Sequence, residues 1–375
     1  MIEETVNLGK VCEILDTLRK PITKKFRKQG QYPYYGATGI VDYVNDYIFD
    51  ETLVLIGEDG AKWDKGDQTA FIVSGKYWVN NHAHVIRPFK DKLNQKFLVY
   101  YLNSIDLKPW VTGLTVPKLN QEKLKSIPIP LPSIEEQENI VAKLDEAFDE
   151  INKTINFIKN KEQEVNALNE IILLNEFKLS LETKKLSEVC KIYNGGTPDT
   201  KNKLYWGGKN QWLTPRDMGK LSNEHVDVTL RQLTDEGLKN SSANLVPKNS
   251  VILSCRAPIG HLAINNVPMA FNQGCKGLVP NPILLNRYFY YFFLSSKKLL
   301  NNLGTGTTFK EISSKVLSSV EINVPSLDMQ KKIINKFDLI FRDLKILKDI
   351  NKKQIKNYIS LGNAIIGKEI TSKAS

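Results

Sequence analysis

The sequence contains little of what marks a secreted, membrane or metal-cluster protein. Its four cysteines include no CxxC pair, so neither a disulfide framework nor a zinc ribbon is expected. No apolar run approaches the ~20 residues of a membrane span, and the N-terminus lacks a basic start followed by an apolar stretch. We therefore expect a cytoplasmic protein whose cysteines are small buried apolar residues. These cysteines are Cys12, Cys190, Cys255 and Cys275.

Strings that carry common enzymatic chemistry on nucleic acids are also missing. There is no GxxxxGK[ST] phosphate loop and no Asn/Asp-Pro-Pro-aromatic string of amino methyltransferases. Pro198-Asp199 is not followed by a second acidic residue and lysine at a nuclease-like distance. His82 and His84 could both face a metal, but the sequence indicates no third ligand. We expect a non-catalytic chain without a metal or cofactor of its own.

Positive charge is in excess, although arginine is scarce. The 375 residues include 52 basic and 41 acidic side chains, for a formal charge of +11, and only eight of the basic residues are arginine. Such an excess favours polyanionic partners through counterion release. Lysine-rich composition can also arise without any such partner, so charge alone leaves nucleic-acid binding open.

The most informative feature that is present is an internal repeat. PSIEEQENIVAKLDEAF at 132–148 and PSLDMQKKIINKFDLIF at 325–341 are identical at seven of seventeen positions. The match extends backward to IPIPLPS and VEINVPS, and Thr115 matches Thr308. A repeat of this size sets the architecture. It predicts a duplicated, pseudo-twofold molecule.

Each copy of the repeat opens a long amphipathic helix. Apolar residues recur at steps of three and four, the pattern of a coiled-coil seam. A lone helix of this length cannot bury such a stripe, so we predict that the two helices pair antiparallel. The predicted seam continues to Val165, Leu168 and Ile172 in the first helix. In the second helix it continues less regularly through Ile350, Ile355 and Tyr358, and Lys348 and Gly362 weaken the pattern. Its central residues are Leu144, Phe148, Ile151, Ile155 and Ile158, with Phe337, Phe341 and Leu344.

The remaining stretches have the mixed composition of globular domains. Short apolar runs bounded by glycine, such as TLVLIG and AFIVSG, are typical of strands. We predict an α+β protein with two globular mixed α/β domains separated by two long helices, which pair as an antiparallel coiled coil. The segments are a first recognition domain at 1–132, a central helix at 133–182, a second recognition domain at 183–325 and a C-terminal helix at 326–375.

The junctions between globular stretch and helix resemble a known family. LNQEKLKSIPIPLPSIEEQENIVAKLD and EISSKVLSSVEINVPSLDMQKKIINKFD are similar to the conserved regions of type I restriction–modification specificity subunits. The globular stretches resemble target recognition domains of that family, and the two are of different pattern classes. The strings concerned are GQYPYYGATGIVDY, LVLIGEDGAKW, NGGTPDTKNKLYWGGKNQWLTPRDM, RAPIG and FNQGCKG.

The resemblance implies a non-catalytic, DNA-reading subunit. Each recognition domain would read half of a bipartite, asymmetric target in the major groove of double-stranded DNA. The paired helices would set the spacer between the half-sites and dock two methyltransferase subunits, and restriction subunits could join the assembly. S-adenosylmethionine, ATP and magnesium would be held by those other subunits.

Candidate DNA contacts in the first domain lie on basic or polar loops. Base edges are read by arginine, lysine, asparagine and glutamine, whereas phosphates are held by cations and small polar groups. Basic runs are also typical of solvated loops, and asparagine is common in turns. The candidates are Lys20, Lys25, Arg27, Lys62, Trp63, Lys65, Asn80, Asn81, His82, Thr115 and Lys118.

In the second domain, Arg256 is the most pointed candidate. It follows an apolar strand and precedes a proline–glycine turn, where a loop could present it to guanine. The segment GTGTTFK matches TGLTVPK of the first copy and suits phosphate binding. The other candidates are Trp206, Lys209, Gln211, Trp212, Arg216, Gln273, Lys276, Thr307, Thr308 and Lys310.

Two alternatives remain open from the sequence. The chain could be a coiled-coil adaptor whose globular modules bind protein, or the specificity module of another multisubunit DNA methyltransferase. The basic loops that bear asparagine, glutamine and arginine favour a DNA reader over an adaptor.

Overall fold

A computed structural model describes residues 5–113, 115–178, 183–305 and 310–371 of the chain. The chain forms two compact units. Unit 1 combines residues up to Lys159 with those from Asn351 onward, and unit 2 comprises Asn160–Ile350. Both unit boundaries fall inside long helices, α3 (Ile134–Glu176) and α10 (Leu327–Thr371). Each unit therefore contains one part of both helices.

Unit 1 contains two four-stranded sheets and a two-stranded ribbon. The sheet orders are β2-β9-β6-β7 and β4-β3-β8-β5, and the ribbon pairs β1 with β10. Helices α1 (Gln95–Ser104) and α2 (Gln121–Lys125) follow the sheets. The strands are β1 Thr5–Asn7, β2 Cys12–Ile14, β3 Tyr32–Gly36, β4 Gly39–Val44, β5 Phe49–Asp50, β6 Leu53–Gly57, β7 Ala70–Val73, β8 Lys76–Val79, β9 Ala83–Pro88 and β10 Pro128–Pro130.

Unit 2 repeats the plan with a larger sheet. Its sheet orders are β12-β19-β16-β17-β14 and β15-β13-β18, and its ribbon pairs β11 with β20. The strands are β11 Thr183–Lys185, β12 Cys190–Asn194, β13 Trp206–Leu213, β14 His225–Val226, β15 Arg231–Leu233, β16 Val251–Ser254, β17 Leu262–Asn265, β18 Met269–Phe271, β19 Cys275–Pro280 and β20 Glu321–Asn323. The short helices are α4 Leu186–Val189, α5 Pro215–Met218, α6 Asp235–Lys239, α7 Asn286–Ser295, α8 Lys297–Leu303 and α9 Ser314–Ser318.

Strand register confirms the duplication. Cys12 pairs with Pro88 between β2 and β9, and Cys190 pairs with Pro280 at the equivalent place between β12 and β19. In each unit a central strand, β6 or β16, is buried along its whole length, as its continuous apolar sequence requires. All four cysteines are buried, and burial raises the pKa of the Cys12 and Cys190 thiols to about 12.

The two long helices pair antiparallel, as the sequence predicts. In unit 1 the last turns of α10, at Ile366 and Ile370, share a core with the first turns of α3 at Ile140 and Leu144. In unit 2 the end of α3 packs against the first turns of α10. Ser133 and Glu136 form a capping box at the start of α3, since Glu136 N donates to Ser133 Oγ at 3.3 Å and Ser133 N donates to Glu136 Oε2 at 3.2 Å.

The predicted seam holds at the helix ends and departs from the expected residues further along. Leu144, Ile151 and Phe337 are buried, and the seam residues Phe148, Ile155, Ile158, Phe341 and Leu344 are half-buried. Leu168 and Ile350 were expected in the seam, but they are 56% and 48% exposed. The expectation is wrong at these two positions, since α10 buries the polar Asn351 in place of its neighbour Ile350, and α3 buries Leu173, more than one turn beyond Leu168.

No helix among the described residues is both long enough and apolar enough to cross a membrane.

Candidate DNA interface

In unit 1 a polar cluster lies where the central strand β6 ends. Glu58 follows β6 and accepts a hydrogen bond from Arg19 Nη1 at 2.5 Å, and Lys118 Nζ lies 2.9 Å from its other oxygen. Arg19 Nη1 also donates to the carbonyl of Ala83 at 2.7 Å, at the start of β9. Burial alone would raise the pKa of Glu58, but the hydrogen bonds from Lys118 and Arg19 outweigh it and lower that pKa.

His84 extends this cluster into the core. Its ring is buried, with Nε2 donating to the carbonyl oxygen of Leu119 at 2.7 Å and Nδ1 lying 2.6 Å from Asp16 Oδ2. Burial would raise the pKa of Asp16, but the contact with His84 and further hydrogen bonds outweigh it and lower that pKa. The network ties β9 to the segment after Lys118.

The same residues offer a spacing that a metal ion could use. One ligand atom each from Asp16, Glu58 and His84 lies within 4.8 Å of the others. However, Arg19 Nη2 lies 3.3 Å from Asp16 Oδ2, and both Arg19 and Lys118 contact Glu58. Because these cations already compensate the two carboxylates, the geometry is that of a buried ion-pair network.

Unit 2 has an equivalent cluster with different chemistry. Its strand β16 pairs with β19 so that Lys276 stands opposite Leu253, as His84 stands opposite Ile56 in unit 1. Lys276 is buried, and its Nζ donates to Asn194 Oδ1 at 2.7 Å. Ser314 Oγ donates to the same oxygen at 2.7 Å.

The charged residues at the strand end are reversed in sign between the units, although the ion pair of Lys118 is with Glu58, the residue before Asp59. An isolated β-bridge joins Asp59 to Lys118 in unit 1 and Arg256 to Glu311 in unit 2. In unit 1 the acid follows the central strand and the lysine lies on the returning segment. In unit 2 Arg256 follows the strand, and its Nε donates to Glu311 Oε2 at 2.8 Å. One fold position therefore presents opposite charges in the two copies.

Most of the predicted contacts are accessible. The partly exposed ones are Arg27, Lys118, Trp206, Gln211 and Arg256. The exposed ones are Lys20, Lys25, Lys62, Lys65, Asn81, His82, Thr115, Lys209, Arg216, Gln273 and Lys310. Thr307 and Thr308 lie outside the described residues.

Four predicted contacts are buried, which corrects their expected placement on exposed loops. Trp63 is 9% exposed and packs in the core of unit 1. Asn80 caps its own turn, accepting from His82 N at 2.7 Å. Trp212 is buried beside β15 and donates from Nε1 to the Gly196 carbonyl at 2.9 Å. Lys276 belongs to the buried cluster of unit 2. In each case long-range packing takes up a side chain that the local sequence suggested was exposed.

Several of the accessible cations are held by acidic neighbours. Arg27 Nη1 donates to Asp42 Oδ2 at 3.0 Å, and its guanidinium lies 4.4 Å from the centre of the Tyr34 ring. Lys209 Nζ lies 3.2 Å from Asp235 Oδ2. The Lys209 pair is exposed and therefore weak, so a phosphate can compete for this lysine, whereas the Arg27 pair is partly buried.

Sequence reasoning missed two arginines at this surface. Arg19 organises the unit 1 cluster, and the guanidinium of Arg231 lies 3.4 Å from the centre of the Trp206 ring. Arg19 stands in the basic run at 18–30, but that run did not distinguish it from its neighbours. Arg231 had no local signal, because β15 and β13 bring it to Trp206 only in the folded sheet.

Each unit also carries a groove between a sheet-covering helix and a long helix. The unit 1 groove is lined by Lys96, Tyr100, Asp145 and Phe148, and the unit 2 groove by Arg287, Tyr291, Asp338 and Phe341. Their volumes are similar, about 640 and 680 Å³. The lining groups occupy matching places in the repeat. The two grooves are therefore alike in size and in chemistry.

Helix α10 has a second apolar stripe in unit 2, away from its seam. Leu339, Ile346 and Ile350 are each about half exposed. Their spacing of seven and four residues places them on one face. Exposed apolar side chains aligned in this way are typical of a surface that meets another helix.

Comparison with known sequences gives one family. The sequence model of the type I restriction modification DNA specificity domain matches residues 3–166 and 179–357. The chain is 28% identical over 353 residues to a putative type I restriction enzyme specificity subunit of Haemophilus influenzae, covering 88% of this chain and 86% of that protein. It is 33% identical over 177 residues to the MjaIX specificity subunit of Methanocaldococcus jannaschii, covering 46% of this chain and 41% of that protein.

Comparison with solved structures agrees at the level of the fold. A chain from a structure of a type I R-M system, described for its complex assembly and conformational transition, superposes with a TM-score of 0.70 at 20% identity. The match covers 98% of this chain and 97% of that one. The HsdS subunit of Thermoanaerobacter tengcongensis superposes with a TM-score of 0.52 at 18% identity, covering 98% and 96%.

Proposed function

The chain belongs to the type I restriction–modification DNA specificity family, and from that premise we propose that each unit reads one half of a bipartite, asymmetric DNA site. The observation that carries the proposal is the cluster at the end of the central strand. The duplicated fold places this cluster at the same position in both units, yet the charges at the β-bridge are reversed. Two recognition domains that share a fold but carry opposite charges at this position suit two half-sites of different sequence.

The chemistry at the two positions matches different base-edge groups. A partly exposed arginine such as Arg256 can donate two hydrogen bonds to guanine O6 and N7 in the major groove. The unit 1 tip instead presents Asn81 and His82 beside Asp59, a mixture of donors and acceptors. The exposed lysines around both tips supply the contacts to phosphate that hold the duplex in place.

The remaining surfaces suit protein partners of a larger complex. The two grooves, alike in size and lining, would dock two methyltransferase subunits, one on each unit. The second apolar stripe of α10 offers further helix-packing area. Restriction subunits would join this assembly. The paired helices α3 and α10 set the spacer between the half-sites.

The chemistry of modification and cleavage belongs to those partners. S-adenosylmethionine, ATP and magnesium are held by the methyltransferase and restriction subunits, and the present chain is non-catalytic. Its work is carried out in the cytoplasm, where the DNA is accessible.

The test is to express the chain with its methyltransferase subunits and map methylated adenines across a genome that otherwise lacks them. The expected result is one motif of two unlike half-sites separated by a constant number of unspecified base pairs. Binding of duplex DNA by the complex should also weaken steeply as salt is raised. Methylation at a continuous or palindromic motif, or no methylation at all, would contradict the proposal.

A further inference from the structure

One pair of repeated residues is explained neither by the apolar core nor by charge. Gln137 and Gln330 are both fully buried in the first turns of α3 and α10. Gln137 Nε2 donates to the carbonyls of Lys92 and Pro132, both at 2.9 Å, while its Oε1 accepts from Asn94 N at 2.8 Å. One side-chain amide thus satisfies three backbone groups.

Gln330 makes the same three bonds in unit 2. Its Nε2 donates to the carbonyls of Ile283 and Pro325, both at 2.8 Å, and its Oε1 accepts from Leu285 N at 2.8 Å. In both units two of the three bonded backbone groups lie directly before the sheet-covering helix, α1 or α7, and the third is the carbonyl of the proline that precedes the long helix. Each glutamine therefore ties its globular domain to the start of a long helix.

Only an amide fits this position. Its nitrogen supplies two donors and its oxygen an acceptor, whereas a carboxylate would face two carbonyl oxygens and an apolar side chain would leave all three backbone groups without partners. Unsatisfied buried polar groups are strongly disfavoured. Small rotations of the domain about the helix would break these bonds, so the amide holds the angle between them.

A second attachment lies eight residues further along each helix, about 12 Å away. In unit 1 Tyr100 Oη donates to Asp145 Oδ1 at 2.7 Å, and its ring stacks on Phe148 with centroids 5.6 Å apart. In unit 2 Tyr291 Oη donates to Asp338 at 2.7 Å, and its ring stacks on Phe341 at 5.6 Å. Two attachments about 12 Å apart fix the orientation of the globular domain along the long helix, whereas a single attachment would let the domain pivot.

We propose that Gln137 and Gln330 are positioning residues for spacer discrimination. Each one, with the tyrosine–aspartate contact beside it, fixes the orientation of a recognition domain on its long helix. A rigid joint makes a half-site that is one base pair too near or too far costly to engage, whereas a loose joint lets the domain tilt to reach it. The inference rests on the proposed function, in which the helices set the spacer.

The test uses the complete complex with its methyltransferase subunits. Methylation rates are measured on duplexes that keep both half-sites and vary the spacer by single base pairs. For Gln137→Leu and for Gln330→Leu, we expect the preference for the cognate spacer over its one-base-pair neighbours to fall about tenfold, with base preference within both half-sites retained. Gln163→Leu, at an exposed position of α3, is the matched control and should keep the wild-type profile.

A milder variant keeps the test decisive if the leucine variants fold poorly. Tyr100→Phe removes one hydrogen bond and keeps the ring stack, so the joint loosens less. We expect a relaxation of the spacer preference of about threefold. A variant that is merely less stable would lose rate at every spacer by the same factor, and that result would overturn the proposal.

The two proposals fail in distinguishable ways. If residues inserted in α3 shift the preferred spacer but the joint variants leave the spacer profile unchanged, the positioning role is wrong and the spacer role of the helices stands. If inserted residues do not shift the spacer either, the proposed function of the helices is wrong, and the positioning role falls with it.

Discussion

Arg256 offers the sharpest test of half-site reading. Replacing it with alanine removes the guanidinium and leaves Glu311 without its partner. The bond to Glu311 uses Nε, whereas reading guanine O6 and N7 uses the two terminal nitrogens of the same group. Glu311 therefore orients the arginine in a way that is compatible with contact to a base.

The magnitudes separate the effect on recognition from the effect on folding. The side chains of Arg256 and Glu311 are 42% and 35% exposed, so solvent screens the pair and its contribution to stability is at most about 1 kcal/mol. Loss of a bidentate contact to guanine costs ~1–3 kcal/mol, which corresponds to about 5- to 150-fold in discrimination. The Arg256→Ala variant should therefore fold normally but discriminate poorly between bases at the position that Arg256 contacts.

The assay compares methylation rates on duplexes that carry every single-base change in either half-site. We expect Arg256→Ala to lose discrimination at one position of one half-site and to keep wild-type discrimination in the other half. Arg87→Ala, at an arginine of β9 that is 39% exposed and ion-paired as Arg256 is, is the matched control and should leave both halves unchanged. An equal loss in both half-sites, or a large fall in thermal stability, would refute the assignment.

Three further predictions concern the helices and the buried carboxylates. A Cβ at Gly362 would lie 2.8 Å from Phe148, so Gly362→Ala should lower the free energy of unfolding by about 1 kcal/mol. A Cβ at Gly367 would meet nothing within 4 Å, so Gly367→Ala should raise the free energy of unfolding by about 0.5–1 kcal/mol. Urea unfolding in which both variants change the free energy in the same direction would contradict this prediction. Inserting or deleting residues in α3 should change the spacer in the methylation motif, and an unchanged spacer would contradict the proposal that the paired helices set it. The fold lowers the pKa of Asp16 and Glu58, so each carboxylate stabilises the protein at pH values above its unfolded pKa and loses that contribution as pH falls through its lowered pKa. The urea midpoint of Asp16→Asn should therefore change less with acidic pH than that of the wild type. If the urea midpoints of both proteins change equally with pH, Asp16 has no such role.

The seven identical residues of the repeat explain why the fold was predictable. Ile140 and Ile333 are core residues at equivalent places, and Lys143 lies 3.6 Å from Glu369 on the other helix while Lys336 contacts Glu176. Each of these roles needs the same residue at the same helical spacing in both copies. A pattern kept for local geometric reasons is visible in the sequence, so the duplication and the helix pairing could both be predicted.

The candidate site was less predictable because its geometry depends on segments far apart in the chain. Arg19 meets Glu58 and Ala83 through the packing of β9 and β6, and nothing near Arg19 in sequence indicates those partners. Trp63 follows a glycine-rich loop between lysines and was predicted to face a partner, but the core of unit 1 takes up its ring. Local composition predicts that the segment is a loop, but whether a side chain of that loop is buried depends on which distant segments pack against it.

The order of residues alone was enough to establish two unlike globular domains, two long helices and their antiparallel partnership, because hydrophobic periodicity and the repeat are properties of neighbouring positions. Tertiary structure alone decided that charges are reversed at equivalent positions, where Asp59 and Lys118 of unit 1 match Arg256 and Glu311 of unit 2, since each pair is joined by a β-bridge only in the folded chain. It also decided that Asn351, and not Ile350, lies in the buried seam, because the rotation of α10 about its own axis is set by everything packed along its length.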